Sequence, residues 1–301
     1  MEYQFNAQEQ VFRDEVEQFL ETELPLDWPE KSMHWPGGYG TMEMSDVDLR
    51  EIGRQFKRRL AEKGWLTIAW PREYGGREHS YMEQAIFDER TSYYRAPGSG
   101  IATGIAGPTI LRFGTEKNKR DWIPRIAGGE IEMWLGYSEP NAGSDLSGIQ
   151  TTAQQNGDEY VINGQKIWST IAHISDYAWL IARTDPEGHR HRSISLFVVD
   201  NNAPGIEMRP LINIAGEHSF NEVFFDDVRV PKDNMICIFT TVRPRPVKSP
   251  SGTAITTWKK SPGTWDCRYP GPKGVSKIPS CGGTGCSLEG SIYAITDECL
   301  K

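Results

Sequence analysis

The stretch Tyr137-Ser138-Glu139-Pro140-Asn141-Ala142-Gly143-Ser144-Asp145 decides how the rest of this chain is interpreted. It begins within the apolar run Met133–Ser138, which has strand character. Its glycine, proline and asparagine predict a loop. The loop can present two hydroxyls, Ser138 and Ser144, together with backbone amides, to one ligand, because turn amides attract anionic and carbonyl oxygens. The alternative is an ordinary surface loop between strands.

Downstream of this loop the sequence has strand periodicity. Asn156-Gly157 lies between Thr151–Gln155 and Glu159–Ile162, and Asn163-Gly164 lies between Tyr160–Ile162 and Gln165–Trp168. Asn-Gly between strand-like runs predicts a tight hairpin, because both turn positions need positive φ. We therefore expect two hairpins in an antiparallel meander. Further strand-like runs are Tyr177–Ala182, Ile194–Val199 and Glu222–Phe225.

Upstream of the loop the signals are helical. Asn6 and Glu9 fit a capping box, in which both side chains satisfy free amides of the first turn. The stretch 97–108 is rich in glycine, and small residues there would let a buried helix approach its neighbours closely. The other helix signals are the apolar face Phe12, Val16, Phe19 and Leu20, the stop at Pro25, the cap Ser45 before Leu49, Ile52, Phe56 and Leu60, the C-terminal Gly64, and the capping box Ser80 with Glu83.

These patterns predict an α+β fold. An N-terminal all-α domain, residues 1–130, would precede an antiparallel β-barrel-like domain, residues 131–235. Both periodicities disappear after that point, so residues 236–301 are expected to form an irregular tail.

The tail also differs from the rest of the chain in composition. All five cysteines follow Met235, and the last 65 residues carry nine Lys or Arg against four Asp or Glu, a net charge of +5. The preceding 236 residues contain no cysteine and carry a net charge of −13 within the total of −8. One chain therefore contains two different kinds of sequence.

Composition argues against several classes of protein. Mean hydropathy is −0.54 and no apolar run reaches about 18 residues, so no membrane span is expected. An acidic body argues against a nucleic-acid binder. The first ten residues contain no Arg or Lys and fit no signal or transit peptide, so we expect a cytoplasmic protein. Cys281 and Cys286 lack a second pair or a nearby histidine, which argues against a zinc site.

Four segments resemble the acyl-CoA dehydrogenase family. The loop matches that family's pattern Y-x-x-[ST]-E-P-x-A-G-S-D from Ser138 through Asp145. Phe113–Glu116 with Ile123–Glu130 resembles the family's G-[TS]-E-E-Q-K…P…A-S-G-E helix pair. Asn163–Thr170 resembles its N-G-x-K-x-W-[IS]-[TS] strand, and Asn221–Pro231 resembles its closing F-D-D-V-x-V-P segment. Order and spacing agree, so the resemblance covers about residues 1–235.

The resemblance implies a helical domain, a middle β domain and a C-terminal four-helix bundle. It also implies FAD, which takes a hydride from the β-carbon of an acyl-CoA while a carboxylate takes the α-proton. The cofactor-binding positions that it implies are Leu135 and Tyr137 through their backbone, Ser138 at the pyrimidine end, Ser144 where flavin and acyl-CoA meet, Trp168 against the ring, Thr170 near N5, and Ser169 between these last two. Fixed donors at those atoms would stabilise the reduced ring, which gains electron density.

Each position also has a purely structural interpretation. Trp168 follows a predicted hairpin at a buried-face position, where a core tryptophan is the commoner use. Thr170 fits an ordinary strand threonine, and Ser144 fits turn chemistry. His173 and His218 match no role in the family and are interpreted as surface or hydrogen-bonded core residues.

The family-like sequence stops near Ile236, where the bundle with its catalytic glutamate would follow. Glu289 and Glu298 are the only glutamates beyond that point, and neither aligns with the family's base, so the catalytic residue is unknown. Three explanations stay open: a frameshift near codon 236, which the change in composition favours, a truncated subunit whose partner supplies the bundle, and a replacement tail of another kind.

The sequence therefore predicts an acyl-CoA dehydrogenase by lineage, with weak FAD retention and little turnover as written. Its substrate would be an acyl-CoA of undetermined length, its electron acceptor an electron-transfer flavoprotein, and its assembly a homo- or hetero-oligomer. The alternatives are a non-catalytic subunit of a heteromeric dehydrogenase and an acyl-CoA oxidase. Trp70–Gly76 and Arg183–Pro186 resemble bacterial relatives that act on sterol-derived or other bulky acyl-CoAs.

Overall fold

The computed structural model describes residues 4–31, 47–98, 100–185, 193–214 and 216–238, and the short strands at 260–261 and 264–265. Residues 1–239 and 240–301 form two compact units. The helices are α1 Ala7–Glu23, α2 Trp28–Lys31, α3 Val47–Glu62, α4 Tyr81–Tyr93, α5 Gly107–Phe113 and α6 Glu116–Ala127. The strands are β1 Met133–Gly136, β2 Thr152–Asn156, β3 Glu159–Lys166, β4 Tyr177–Arg183, β5 Ile194–Asp200, β6 Ile206–Ile212, β7 His218–Pro231, β8 Met235–Ile238, β9 Lys260–Ser261 and β10 Thr264–Trp265.

The predicted helix caps of α1 and α4 are confirmed. The Asn6 side chain accepts the Glu9 N–H at 2.9 Å, and the Glu9 carboxylate accepts the Asn6 N–H at 2.9 Å. Ser80 and Glu83 make the same reciprocal pair at the start of α4. The predicted apolar face of α1 is buried, and the helix ends before Pro25. Ser45, the predicted cap of α3, lies outside the described residues.

The glycine-rich stretch 97–108 contains a largely buried helix from Ile101 onward, as predicted. A π-helical turn, Ala102–Ala106, leads directly into α5. A Cβ on Gly107 would lie 2.1 Å from the Trp70 ring, so glycine at this position lets α5 pack directly on the indole. Ala102 and Ala106 are buried beside it. Small residues here permit a close approach of backbone to an aromatic core residue.

The middle domain is one mixed sheet in the order β6-β7-β3-β2-β4-β5-β8, with β1 attached to β4. Most pairs are antiparallel, but β1 and β2 both pair with β4 in parallel. The sheet does not close, since among the described residues β6 and β8 each have one partner. The predicted α+β fold, a helical domain followed by a β domain, is confirmed, while the β domain is a mixed open sheet rather than an antiparallel barrel. Pro210 lies on β6, which fits an edge strand because proline donates no ladder hydrogen bond.

One predicted hairpin is confirmed and the other is wrong. β2 and β3 pair around a two-residue turn at Gly157-Asp158, because Asn156 is the last residue of β2 and pairs with Glu159. Gly157 is at φ +64°, whereas Asn156 is not among the residues with positive φ. At Asn163-Gly164 the chain does not turn, and β3 continues to Lys166 through a bulge against β7. The Asn163 side chain donates to Asp227 Oδ1 at 2.9 Å instead, and the Asp227 N–H donates back to Asn163 Oδ1 at 2.9 Å. The asparagine therefore serves a cross-strand bond, which local turn chemistry does not reveal.

Strands β4 and β5 are buried on both faces, which explains their unbroken apolar sequences. On one face Trp179 packs in the same core as Ile110 of α5 and Trp122 of α6. On the other face Leu180 and Phe197 pack with residues of β3 and β7. The helical domain and the sheet therefore share a core across β4 and β5.

In the second unit the structure describes an antiparallel pair of β9 with β10. The predicted start of the irregular tail at residue 236 is corrected, because residues 236–238 continue β8 and pair with β5. The remaining tail residues, including Cys267, Cys281, Cys286 and Cys299, lie outside the described residues. In the part of the chain that the structure describes, every helix is too short or too polar to cross a membrane.

Candidate functional site

The structure brings together two of the segments that carry predicted site residues. The Ile167 N–H donates to the Ser138 carbonyl at 2.9 Å, and Lys166 Nζ donates to the Tyr137 carbonyl at 3.2 Å. The chain after β1 therefore lies beside the end of β3. This places the predicted residues Leu135, Tyr137 and Ser138 next to the segment that contains Trp168, Ser169 and Thr170.

A buried ion pair joins the two segments. Lys166 Nζ lies 2.9 Å from Glu139 Oε1, with the Lys166 side chain fully buried and that of Glu139 7 % exposed. The Glu139 carboxylate also accepts the N–H groups of Gln150 at 2.6 Å and Thr151 at 3.0 Å. A buried carboxylate with one cationic and two amide partners is well satisfied and fixes the base of the loop.

The environment of this pair changes both pKa values. Burial lowers the pKa of Lys166 to about 8, against the opposing effect of the Glu139 charge. Burial alone would raise the pKa of Glu139, but the Lys166 charge and the hydrogen bonds of its partners hold that pKa below its ordinary value. At neutral pH both groups are therefore charged, and the pair is an ionic contact rather than a neutral hydrogen bond.

The loop has a fixed base and an open tip. Glu139 and Ala142 exchange backbone hydrogen bonds of 2.7 and 3.0 Å, which closes a tight turn. Ser144 is exposed, and a Cβ added to the neighbouring Gly143 would meet no atom within 4 Å. The tip therefore leaves Ser144 accessible to a ligand, while the ion pair holds the chain before it.

Trp168 is exposed rather than buried. Its side chain is 61 % exposed, so the core interpretation of this tryptophan is wrong. Its φ is +59°, a conformation that side chains rarely adopt, and Phe220 contacts it edge-on with ring centroids 6.1 Å apart. The left-handed backbone turns the indole out of the sheet. A large flat apolar surface is thus presented to solvent.

Ser169 and Thr170 differ in accessibility. Ser169 is fully buried, and its backbone N–H and C=O both bond to the backbone of Asn221 at 3.0 and 3.1 Å. Thr170 is exposed and follows the end of β3, so it is not a strand threonine. Thr170 can therefore reach a ligand through its hydroxyl, whereas Ser169 fixes the backbone between two exposed neighbours.

The arrangement fits a planar aromatic ligand with a polar edge. Trp168 offers a face for stacking, and Ser138, Thr170 and Ser144 offer hydroxyls. Among the described strands β1 pairs only with β4, so the backbone of Leu135 lies at a sheet edge. Such a set of groups can bind and orient a ring system and place donors at its edge.

Sequence reasoning gave no role to three residues that build this site. Glu139 and Lys166 lie inside two of the motifs that carry the resemblance, but the motifs alone do not indicate that the two side chains form an ion pair. Asn221 opens the closing segment and holds Ser169 from β7. A signal was present in Lys166, because an isolated lysine in an alternating strand suggests a buried charge that needs a partner.

Comparison with protein families gives matches to most of the described chain. Residues 6–130 match the model described as "Acyl-CoA dehydrogenase, N-terminal domain", and residues 135–228 match "Acyl-CoA dehydrogenase, middle domain". The acyl-CoA dehydrogenase FadE26 of Mycobacterium tuberculosis is 35 % identical over 239 residues, which cover 78 % of this chain and 58 % of that relative.

Solved structures agree with these matches. The ChsE4-ChsE5 complex from Mycobacterium tuberculosis has a TM-score of 0.67 at 33 % identity, covering 78 % of this chain and 57 % of that chain. The Tcur3481-Tcur3483 steroid ACAD has a TM-score of 0.68 at 32 % identity, covering 80 % and 60 %. The chain thus spans a little more than half the length of these three relatives.

Proposed function

Because the chain belongs to the acyl-CoA dehydrogenase family, we propose that it forms the flavin-facing part of an enzyme that oxidises an acyl-CoA thioester between its α- and β-carbons. The observation that carries this proposal is the exposed Trp168 indole beside the chain that follows β1. An exposed tryptophan in a left-handed conformation is costly unless the surface is used.

The residues present fit FAD, the cofactor of this family. Trp168 would pack against the ring, Thr170 would donate near its reacting nitrogen, and Ser138 would bond its pyrimidine edge with the backbone of Leu135 and Tyr137. Ser169 would act through the backbone that it shares with Asn221. FAD would supply hydride acceptance. The residues would orient the ring and hold donors at the atoms where electron density increases.

The acyl-CoA would lie on the same side as Ser144, whose exposed hydroxyl is proposed to meet both the cofactor and the substrate. Among the residues that the structure describes, none is assigned to removal of the α-proton. Loss of a general base costs about 10²–10⁴-fold in rate, so we propose slow turnover from the described part of the chain alone. We propose weak FAD retention as well, because that part would supply only one side of the flavin crevice. A second, family-related subunit would complete the site.

The heteromeric alternative has specific support. Two of the similar structures are named as pairs of different proteins, ChsE4-ChsE5 and Tcur3481-Tcur3483, and the second is named a steroid ACAD. We propose on this basis that the chain works with a related subunit on ring-containing, sterol-derived acyl-CoAs. The oxidase alternative differs in its electron acceptor, which would be oxygen rather than an electron-transfer flavoprotein.

The test is a titration of the purified full chain with FAD, followed by flavin fluorescence, and then by dye reduction with acyl-CoA. We expect quenching on binding and slow dye reduction. Absence of any quenching would overturn the flavin assignment, and fast dye reduction by the chain alone would overturn the proposed need for a partner. Rates of dye reduction with steroid side-chain thioesters and with straight-chain thioesters separate the substrate classes. Hydrogen peroxide that forms with oxygen present, and not in its absence, reveals oxidase activity.

A further inference from the structure

A buried polar cluster lies behind the exposed Trp168. We define the Asn221 cluster as Ser169, His173, His218 and Asn221. Asn221 and Ser169 are fully buried, and the two imidazoles stack with centroids 3.7 Å apart and planes 14° apart. His173 and His218 are thus half-buried, hydrogen-bonded residues, which fits the hydrogen-bonded interpretation better than the surface one.

The orientation of the Asn221 amide follows from its neighbours. A nitrogen of the amide must face the Ser169 carbonyl, since two oxygens would repel there, and Asn221 Nδ2 lies 3.0 Å from that oxygen. The same Nδ2 lies 3.0 Å from His173 Nδ1. Asn221 Oδ1 is 2.8 Å from His218 Nε2. Every hydrogen-bonding atom of the amide is therefore used.

This orientation fixes the histidine tautomers. Asn221 donates to His173 Nδ1, so that nitrogen carries no proton and His173 is neutral with its proton on Nε2. His218 donates from Nε2 to Asn221 Oδ1. Burial, the His218 ring and the Arg50 charge on α3 lower the pKa of His173 to about 4, which agrees with a neutral ring. Because the two imidazole rings are stacked, a positive charge on His218 would further disfavour protonation of His173.

The cluster borders a strained segment. Trp168 and Ile171 have φ of +59° and +55°, and a left-handed conformation is unusual for a β-branched residue such as Ile171. The Ile171 N–H donates to the Ser219 carbonyl at 3.2 Å, and Asn221 holds Ser169 through both backbone groups and its side chain. Strain of this kind persists only where the surroundings determine the conformation.

We propose that Asn221, with His173 and His218, is a positioning device that holds the 168–171 segment in the conformation that exposes Trp168 and Thr170 to the cofactor. The consequence for cofactor binding rests on the proposed function. The effect of the three side chains on the conformation of residues 168–171 does not rest on the proposed function, because it follows from hydrogen bonds within the chain. None of the three side chains touches the reacting atoms.

The experiment uses the full chain labelled with 5-fluorotryptophan, with the Trp168 fluorine resonance assigned by Trp168→Phe. Asn221→Leu removes the amide at similar volume. His173→Phe removes the acceptor and keeps an aromatic ring, whereas His173→Asn keeps an acceptor near the position of Nδ1. Asn163→Leu is the matched control, because it removes an asparagine that bonds Asp227 on another part of the sheet.

We expect Asn221→Leu and His173→Phe to shift or broaden the Trp168 resonance and to raise the FAD dissociation constant about tenfold. His173→Asn and Asn163→Leu should retain the parent resonance and affinity. An unchanged Trp168 resonance in both Asn221→Leu and His173→Phe overturns the proposal. If Asn221→Leu does not fold, the two His173 variants decide it. If the parent chain binds no FAD, the proposed function fails while the fluorine resonance still tests the positioning.

Discussion

Lys166 Nζ lies 2.9 Å from Glu139 Oε1 in a buried contact that joins residues 27 positions apart in the chain. Lys166 comes from the end of β3, directly before the exposed segment that begins at Trp168. Glu139 comes from the loop that follows β1. One ion pair therefore fixes the relative position of both halves of the candidate site.

Removing one member of this pair should be strongly destabilising. We expect Lys166→Met to lower the free energy of unfolding by about 3–5 kcal/mol, because it leaves the Glu139 charge buried without its cation. The double variant Glu139→Leu with Lys166→Met should lose less than the sum of the two single changes. Urea denaturation followed by circular dichroism measures these differences.

An exposed pair provides the control. Lys119 lies 2.9 Å from Glu116, but the Glu116 side chain is 76 % exposed. Lys119→Met should change the free energy of unfolding by less than about 1 kcal/mol. If Lys166→Met has as small an effect as Lys119→Met, the ion pair does not hold the site together.

Trp168→Ala should separate cofactor binding from stability. Because the indole is 61 % exposed, its removal should change the free energy of unfolding by no more than about 1 kcal/mol. Loss of the stacking face should raise the FAD dissociation constant about tenfold or more. Flavin fluorescence and urea denaturation measure the two effects.

Two other aromatic residues test whether this effect is specific. Trp134 is fully buried, so Trp134→Ala should lower the free energy of unfolding by about 3–5 kcal/mol. Tyr93 is 72 % exposed on α4, and Tyr93→Ala should change neither quantity. Equal FAD affinity in Trp168→Ala and Tyr93→Ala would contradict the role of Trp168.

The neutral state of His173 predicts a dependence of stability on pH. The ordinary histidine pKa of 6.5 applies to the unfolded chain, and the folded value is about 4. Between these values the unfolded state binds the extra proton, so the free energy of unfolding falls as the pH falls through this window. Thermal unfolding at a series of pH values should show a steeper decline for the parent chain than for His173→Asn. Parallel curves would mean that His173 titrates normally in the folded protein.

Local sequence signals predicted the elements that local interactions determine. The capping boxes at Asn6 and Ser80 and the hairpin that turns at Gly157 depend on neighbours within a few residues, and the structure has them. The wrong predictions concern residues whose conformation depends on a strand that is distant in the chain. Pairing with β7 keeps Asn163-Gly164 inside a strand, and the left-handed backbone of Trp168 turns an apparent core residue outward. Neither effect is visible in spacing, because the partners are distant in the chain: Asp227 is 64 residues from Asn163, and Asn221 is 52 residues from Ser169.

Gly164 tests whether the sheet beneath the site must remain closely packed. Its φ is +148°, and an added Cβ would lie 2.6 Å from the Thr151 Cα, which belongs to the backbone that donates to Glu139. Gly164→Ala should therefore lower the free energy of unfolding by about 1–3 kcal/mol and weaken FAD binding by displacing Thr151.

Gly157→Ala is the control, because Gly157 also has positive φ but its Cβ would meet no atom within 4 Å. It should cost about 1 kcal/mol through backbone strain alone and leave FAD affinity unchanged. Equal effects of the two substitutions on FAD affinity would show that the contact with Thr151 does not support the site.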